Sequence, residues 1–205
     1  MKRIRLALIL TAIVASFASY ASASAIGSVE LNLGYNKSST ELATTGETFG
    51  GGIGVGGAFW RPISPMVSWG AEVSWDNLGD IEAQYQNGSG ANVHEKLNAK
   101  VIRANPALRM NFGSVVGPSF FAQGGAGLYN VSWKYEYSDD TPLQTTAEDS
   151  QSKFGFNLAG GFSFPMGPKT RMNLSGAYHI IPKPDNTNVD NMNNFQARAG
   201  LAFGL

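Results

Sequence analysis

From Val29 onward the chain alternates apolar and polar positions with a period of two, the spacing of a strand whose two faces meet different surroundings. Val29, Leu31, Leu33 and Tyr35 alternate with Glu30, Asn32 and Gly34, and Phe49 to Phe59 repeat the rhythm over a ground of Gly and Ala. Val67 to Asp76 form a third segment, with Trp69, Val73 and Trp75 on one face and Ser68, Glu72, Ser74 and Asp76 on the other. In a fourth, Leu97, Ala99 and Val101 share a face, but from Ile102 the apolar set changes phase and continues through Ala104, Pro106, Leu108, Met110 and Phe112. This slip predicts a β-bulge near Val101, and Pro106, which has no ladder donor, is a local misfit. Ser119 to Tyr137 shows a similar change beyond Tyr129 and predicts a second bulge. Phe154–Phe164, Met172–Ile180 and Phe195–Leu205 complete eight segments, and no helical period competes with them.

The connections alternate as well. Arg61 to Pro65, Gly113 to Pro118 and Pro165 to Lys169 are short and hold Gly or Pro; Lys37 to Glu47, Leu78 to Glu95, Ser138 to Ser152 and Pro182 to Asn193 are long and polar. Four long loops at one end and three tight turns at the other predict an up-and-down meander.

Ahead of the strands, Lys2, Arg3 and Arg5 precede an apolar run from Leu6 to Val14, and small residues follow from Ala21 to Ala25. This is the pattern of a secretory signal peptide. It predicts a signal over residues 1–25, cleavage after Ala25 with Ala23 as the alternative, and a barrel over residues 26–205. The apolar run is too short to span a bilayer as a helix.

Composition narrows the classes. Charged residues make up only 15 % of the 205 positions, there is no Cys, and there are two His. A disulfide scaffold, a thiol nucleophile and a multi-histidine metal site are excluded, and no cofactor or metal is expected. A formal net charge of zero argues against nucleic acid as a partner. Alternation fits a soluble or a membrane barrel, and the identity of the apolar face decides between them. Eight strands enclose a lumen just wide enough for its own side chains. The face rich in Gly, Ser, Asn and a few charges suits that lumen, so the face rich in Leu, Val, Phe and Trp points outward to lipid. Tyr35, Trp75, Tyr178 and Phe195 at the long-loop end, and Phe59, Phe112, Phe164 and Phe203 at the short-turn end, read as two interfacial girdles. The expected fold is all-β: an eight-stranded antiparallel up-and-down transmembrane β-barrel.

With these features the chain resembles small bacterial outer-membrane barrels of the OmpA/OmpX kind. The likeness is carried most by GGGIGVGGAFW (Gly50 to Trp60) and NFQARAGLAFGL (Asn194 to Leu205). It implies residence in the outer membrane, contact with outer-membrane lipids and lipopolysaccharide, and delivery to the barrel insertion machinery through the last strand. Ala199, Leu201 and Phe203 match the phase of the family's assembly signal, with Leu205 where that signal usually ends in Phe.

On the lumen face, Glu30, Glu72, Asp76, Arg103, Arg109, Arg171 and Arg198 predict a network of ion pairs, since buried charge is costly unless paired. His179 and Ser175 share that face but stand four residues apart, roughly 13 Å along a strand and too far for a nucleophile and its base. His94 falls in an expected loop, and the His-x-Ser pair of the lipid A deacylases is absent: Ile180 and Ile181 follow His179. The Asp/Asn run Asp185 to Asn194 lacks the Gly and terminal Glu of a calcium loop. The expectation is a non-enzymatic barrel that displays loops to an extracellular ligand. Alternatives are a narrow OmpW-like passage for small or hydrophobic molecules and a lipid A-modifying enzyme.

Overall fold

The computed structural model of the protein describes residues 27–39, 48–86, 88, 90–113, 117–139, 144–183 and 191–205. The expected signal peptide and its cleavage site lie outside them, as do residues 40–47 and 184–190 of two expected loops. Eight strands follow in chain order: β1 (Ser28–Ser38), β2 (Gly52–Pro62), β3 (Val67–Gln86), β4 (Asn92–Gly113), β5 (Ser119–Asp139), β6 (Gln144–Pro165), β7 (Thr170–Ile180) and β8 (Asn194–Gly204). Each pairs antiparallel with its sequence neighbours, and β8 pairs with β1 from Ser28↔Gly204 to Ser38↔Asn194, closing the barrel.

Two of the expected loops are mostly strand. β3 and β4 stay paired to Gln86↔Asn92, and β5 and β6 to Ser138↔Gln144. β4 and β5 are paired as far as Val93↔Asp139, so the two hairpins form one four-stranded sheet. It rises past β1, β2, β7 and β8, which have 11 residues each against 20 to 22 in β3 to β6.

The bulge expected near Val101 is on the neighbouring strand instead. Asn77 pairs with Lys100 and Gly79 with Ala99, leaving Leu78 as the extra residue of β3. Gly79 absorbs the irregularity at φ 93°, a conformation that costs Gly little, and its N–H donates to Asn77 Oδ1 at 3.0 Å. β4 keeps one phase throughout: Val93, Ala99, Val101, Arg103, Asn105, Ala107 and Arg109 are all buried and inward. β5 likewise carries no second bulge, and Gln123, Tyr129 and Val131 follow one another inward. What changes along these strands is the surroundings. In the lower barrel the inner face is polar and the outer face apolar; above the level of Leu78 the polarity is reversed on β3, β4 and β5, while β6 is mostly polar on both faces. Pro106 is accommodated by a gap in the β4–β5 ladder between Ala104↔Leu128 and Ala107↔Gly125, while it still pairs with Ala71 on the other side.

Candidate functional site

The lumen is filled rather than open. Near the short turns, the Arg109 guanidinium bonds Glu30 at 2.8 Å, donates twice to Gln123 Oε1 at 3.0 and 3.1 Å, and lies between the rings of Trp60 and Phe121 at 4.0 and 4.3 Å. Trp60 Nε1–H donates to the same Glu30 oxygen at 3.1 Å. Midway, Arg198 pairs with Glu72 at 3.1 Å, and Asn157 donates to the other Glu72 oxygen at 3.3 Å. Above that, Arg103 pairs with Asp76 at 3.3 Å, while Ser74 and Gln196 donate to Asp76 at 2.7 and 2.6 Å. Charge-assisted bonds of this kind offset the desolvation that burial imposes on both partners. Two large inward side chains, Trp60 and Phe121, were not assigned to the lumen from sequence. Trp60 fits because the inward Gly70 leaves room: a Cβ there would lie 2.6 Å from the Trp60 ring and 2.1 Å from Phe59 O.

His179 is fully buried above these pairs. Its Nε2 faces Arg103 at 2.7 Å and Arg198 at 3.0 Å. Both guanidinium groups can only donate, so Nε2 is the acceptor and Nδ1 carries the proton, directed at Tyr129 Oη 3.3 Å away. Arg171, expected in the network, stands apart from the three carboxylates. It sits by the short turns, where it donates to the hydroxyls of Ser163 and Ser119 at 2.7 and 3.0 Å and to Gly117 O at 2.9 Å.

An apolar plug caps the network toward the long strands. Phe49, Leu78, Ile81, Ala99, Val101, Tyr129, Val131, Ile181 and Met192 form one buried cluster. Phe49 precedes β2, while Ile181 and Met192 flank the β7–β8 connection and are joined by Met192 N–H to Ile181 O at 2.9 Å. Below it, a cavity lined by Gly54, Glu72, Ser74, Arg103, Gln196 and Arg198 measures about 10 Å³, room for about one water molecule.

The outer wall carries Leu31, Leu33, Ile53, Val55, Leu108, Leu128, Leu158 and Leu174 exposed, as a lipid-facing band requires. Tyr35, Trp75, Tyr178, Phe195 and Phe203 are exposed on this wall, and Phe59, Phe112 and Phe164 are partly exposed on it. Phe120 and Phe162 extend the lower set: Phe112 stacks on Phe120 at 4.8 Å, and Phe162 neighbours Phe164 at 6.5 Å.

Beyond the band, the outer face of the raised sheet is polar. Lys96 bridges Asp80 and Glu82 at 2.9 and 2.8 Å, Lys134 pairs with Glu136, and His94 lies in β4 on this face rather than in a loop. These bonds raise the Lys96 pKa, with Glu82 the largest cause and Asp80 the next. The inner face instead holds Ile81, Tyr85, Val93, Glu95, Leu97, Trp133, Tyr135 and Tyr137. Leu97 and Trp133 pack on the plug, and Tyr85 Oη–H donates to Glu95 Oε1 at 2.8 Å. Tyr135 also lies against Glu95; partial burial and that carboxylate push its pKa up to about 12.

Comparison with known proteins agrees with this architecture. Among solved structures, the chain is similar to Neisserial surface protein A, with 13 % identity, a TM-score of 0.57, and coverage of 87 % of this chain and 97 % of that one. It is similar also to a major outer membrane protein from Thermus thermophilus, with 12 % identity, a TM-score of 0.52, and coverage of 87 % and 99 %. At these identities the likeness concerns the fold alone. No curated protein sequence matches. The profile of the outer membrane protein β-barrel domain matches residues 6–203, nearly the whole chain, and the protein belongs to that outer-membrane family.

Proposed function

We propose that this outer-membrane barrel is a non-enzymatic display protein, whose raised β3–β6 sheet, with the flanking β1–β2 and β7–β8 connections, meets an extracellular ligand. The observation that carries the reading is the contrast between a filled lumen and an extended, exposed sheet. Three buried ion pairs, the plug and a cavity of about 10 Å³ oppose passage of a solute. On the other side of the plug, two hairpins hold aromatic and acidic side chains on a rigid ladder, the arrangement in which binding surfaces are commonly built. His179 is held by two arginines and Tyr129, which leaves it no nucleophile to activate. Export by a cleaved segment over residues 1–25, insertion through β8 and packing against lipopolysaccharide belong to the same reading.

Two measurements on the refolded protein test it. Planar-bilayer conductance should stay at the lipid background. Replacing residues 82–96 and 133–149 by two-residue Asn-Gly turns, which join the partners Ile81 and Leu97 and the partners Ser132 and Ser150, should preserve heat-modifiable mobility, because the barrel ladder below is intact, and should abolish binding to host surfaces or envelope partners. Steady conductance that disappears when Gly54 is enlarged would favour the passive pathway. Binding that survives loss of both hairpins would overturn display.

A further inference from the structure

The charges of the raised sheet are balanced unevenly. On its outer face the acids Asp80, Glu82 and Glu136 are each met by a lysine. On the inner face Glu95 is met by phenol groups. It lies directly across from Ala83 on β3 and Tyr137 on β5, which makes Tyr85 and Tyr135 its diagonal neighbours. Cross-strand diagonal positions are within reach of such long side chains. Tyr85 donates to Oε1 at 2.8 Å, and the register sets Tyr137 directly beside the same residue and Tyr135 diagonal to it on the same face. Tyr85 remains 48 % exposed, so the cluster opens to solvent. Trp133 continues the aromatic row on β5 down to the plug.

This arrangement selects a cation of a particular shape. A carboxylate has about four lone-pair sites, and one on Oε1 is taken by a phenol. The parallel fork of an arginine would have to share Oε1 with that phenol. An ammonium group is a point charge with three rotatable donors, and it can use the remaining carboxylate positions and the phenol lone pairs at once. The aliphatic stem behind it would lie on the tyrosine and Leu97 side chains, and the cation would lie beside aromatic rings. The surface is an open sheet rather than a pocket, which suits a side chain presented by a macromolecule.

We propose that the inner face of the raised sheet docks a basic protein partner by receiving a lysine side chain at Glu95, between Tyr85, Tyr135 and Tyr137. The inference rests on the display reading for the outward position of the sheet, and names the chemistry of what is bound there.

The test uses the full-length refolded protein in nanodiscs of zwitterionic lipid and a fluorescent pentapeptide with lysine at its centre. Its comparators carry norleucine or arginine at that position. The lysine peptide should bind about tenfold more tightly than either, the size of one charge-assisted hydrogen bond. Glu95→Gln should remove that preference, and Tyr135→Phe, which keeps the ring, should reduce it. Glu82→Gln removes the same charge from the opposite face and should leave it intact. Heat-modifiable mobility confirms that each variant is folded. Equal binding of lysine and norleucine peptides, stronger binding of the arginine peptide, or an equal loss in Glu82→Gln would each overturn the proposal. So would 1,5-diaminopentane binding as tightly as the lysine peptide, since the site would then serve a small amine. Undiminished preference for the lysine peptide in Glu95→Gln, with binding lost on removal of both hairpins, would refute the lysine site alone. Unchanged binding after removal of both hairpins would refute display itself.

Discussion

Arg109 offers the sharpest measure of how dry the lumen is. Its guanidinium holds Glu30 at 2.8 Å, and the two side chains are only 10 % and 3 % exposed. Arg109→Met keeps the stem between Trp60 and Phe121 but removes the charge, the two bonds to Gln123 and the counter-ion of Glu30. Glu30 then retains the Trp60 indole as its remaining partner among the contacts described above. Breaking one side of a buried pair costs roughly 3–5 kcal/mol, and loss of a desolvated cation–π contact adds up to about 2 kcal/mol. The expected destabilisation is therefore about 4–6 kcal/mol. Adding Glu30→Gln removes the unpaired charge while keeping an acceptor for Trp60, and should recover about half of it. Equilibrium urea unfolding in lipid vesicles, followed by tryptophan fluorescence, gives all the free energies of the cycle. A single-variant cost below about 1 kcal/mol, the range of solvated pairs, or a double variant no more stable than the single, would show that Glu30 is hydrated and that the lumen admits water.

Leu174→Arg places a charge against lipid and should cost roughly 2–4 kcal/mol near the midplane, whereas Asn173→Ala, on the inward side of the same strand, should cost less; the reverse order in vesicle unfolding would exchange the two faces. Gly70→Ala should cost about 1–3 kcal/mol by overpacking, because its Cβ would press on Phe59 O and the Trp60 ring; a neutral result would mean that the Trp60 ring is free to move. Leu78→Ala should cost about 3–5 kcal/mol through a cavity in the plug without altering the β3–β4 register, as read by amide hydrogen exchange. In an ultraviolet titration Tyr135 should ionise near pH 12, and Glu95→Gln should bring that step earlier. The folded pKa is raised, so the stabilisation from Tyr135 is complete below its ordinary range and is lost as pH rises toward 12. An unchanged titration in Glu95→Gln would separate the two groups.

Alternation carried much of the fold because a strand with unlike faces must alternate. Glu30, Glu72, Asp76, Arg103, Arg109 and Arg198 were readable as inward from their neighbours alone. Their pairing was not, since it depends on how far the strands are staggered around the ring. The rest was hidden by a change of solvent. Ile81, Ala83 and Tyr85 alternate as clearly as Val73 and Trp75, but among Glu, Gln and Asn they resemble a loop. At Val101 the apolar residues change sides because the outside changes from lipid to water, and a phase slip in sequence cannot distinguish that from a bulge. The bulge at Leu78 leaves no distinct mark in the sequence because it lies where the outer face changes too. Arg171 has the same alternation as the other arginines, and only its height in the barrel, by the short turns, separates it from them.

The polarity reversal at the level of Leu78 divides the molecule by solvent instead of by sequence. Below it the apolar wall is held by lipid; above it Phe49, Ile81, Val131 and Met192 are held together by exclusion of water, as in a soluble protein. A denaturant confined to the aqueous phase acts on the second arrangement and leaves the first in place. The hairpins and plug are therefore expected to open as a unit, with earlier amide exchange than β1, β2, β7 and β8. Stability at the mouth can then be raised or lowered independently of membrane anchoring, and the barrel can tolerate changes in its exposed half that would unfold a protein with a single shared core.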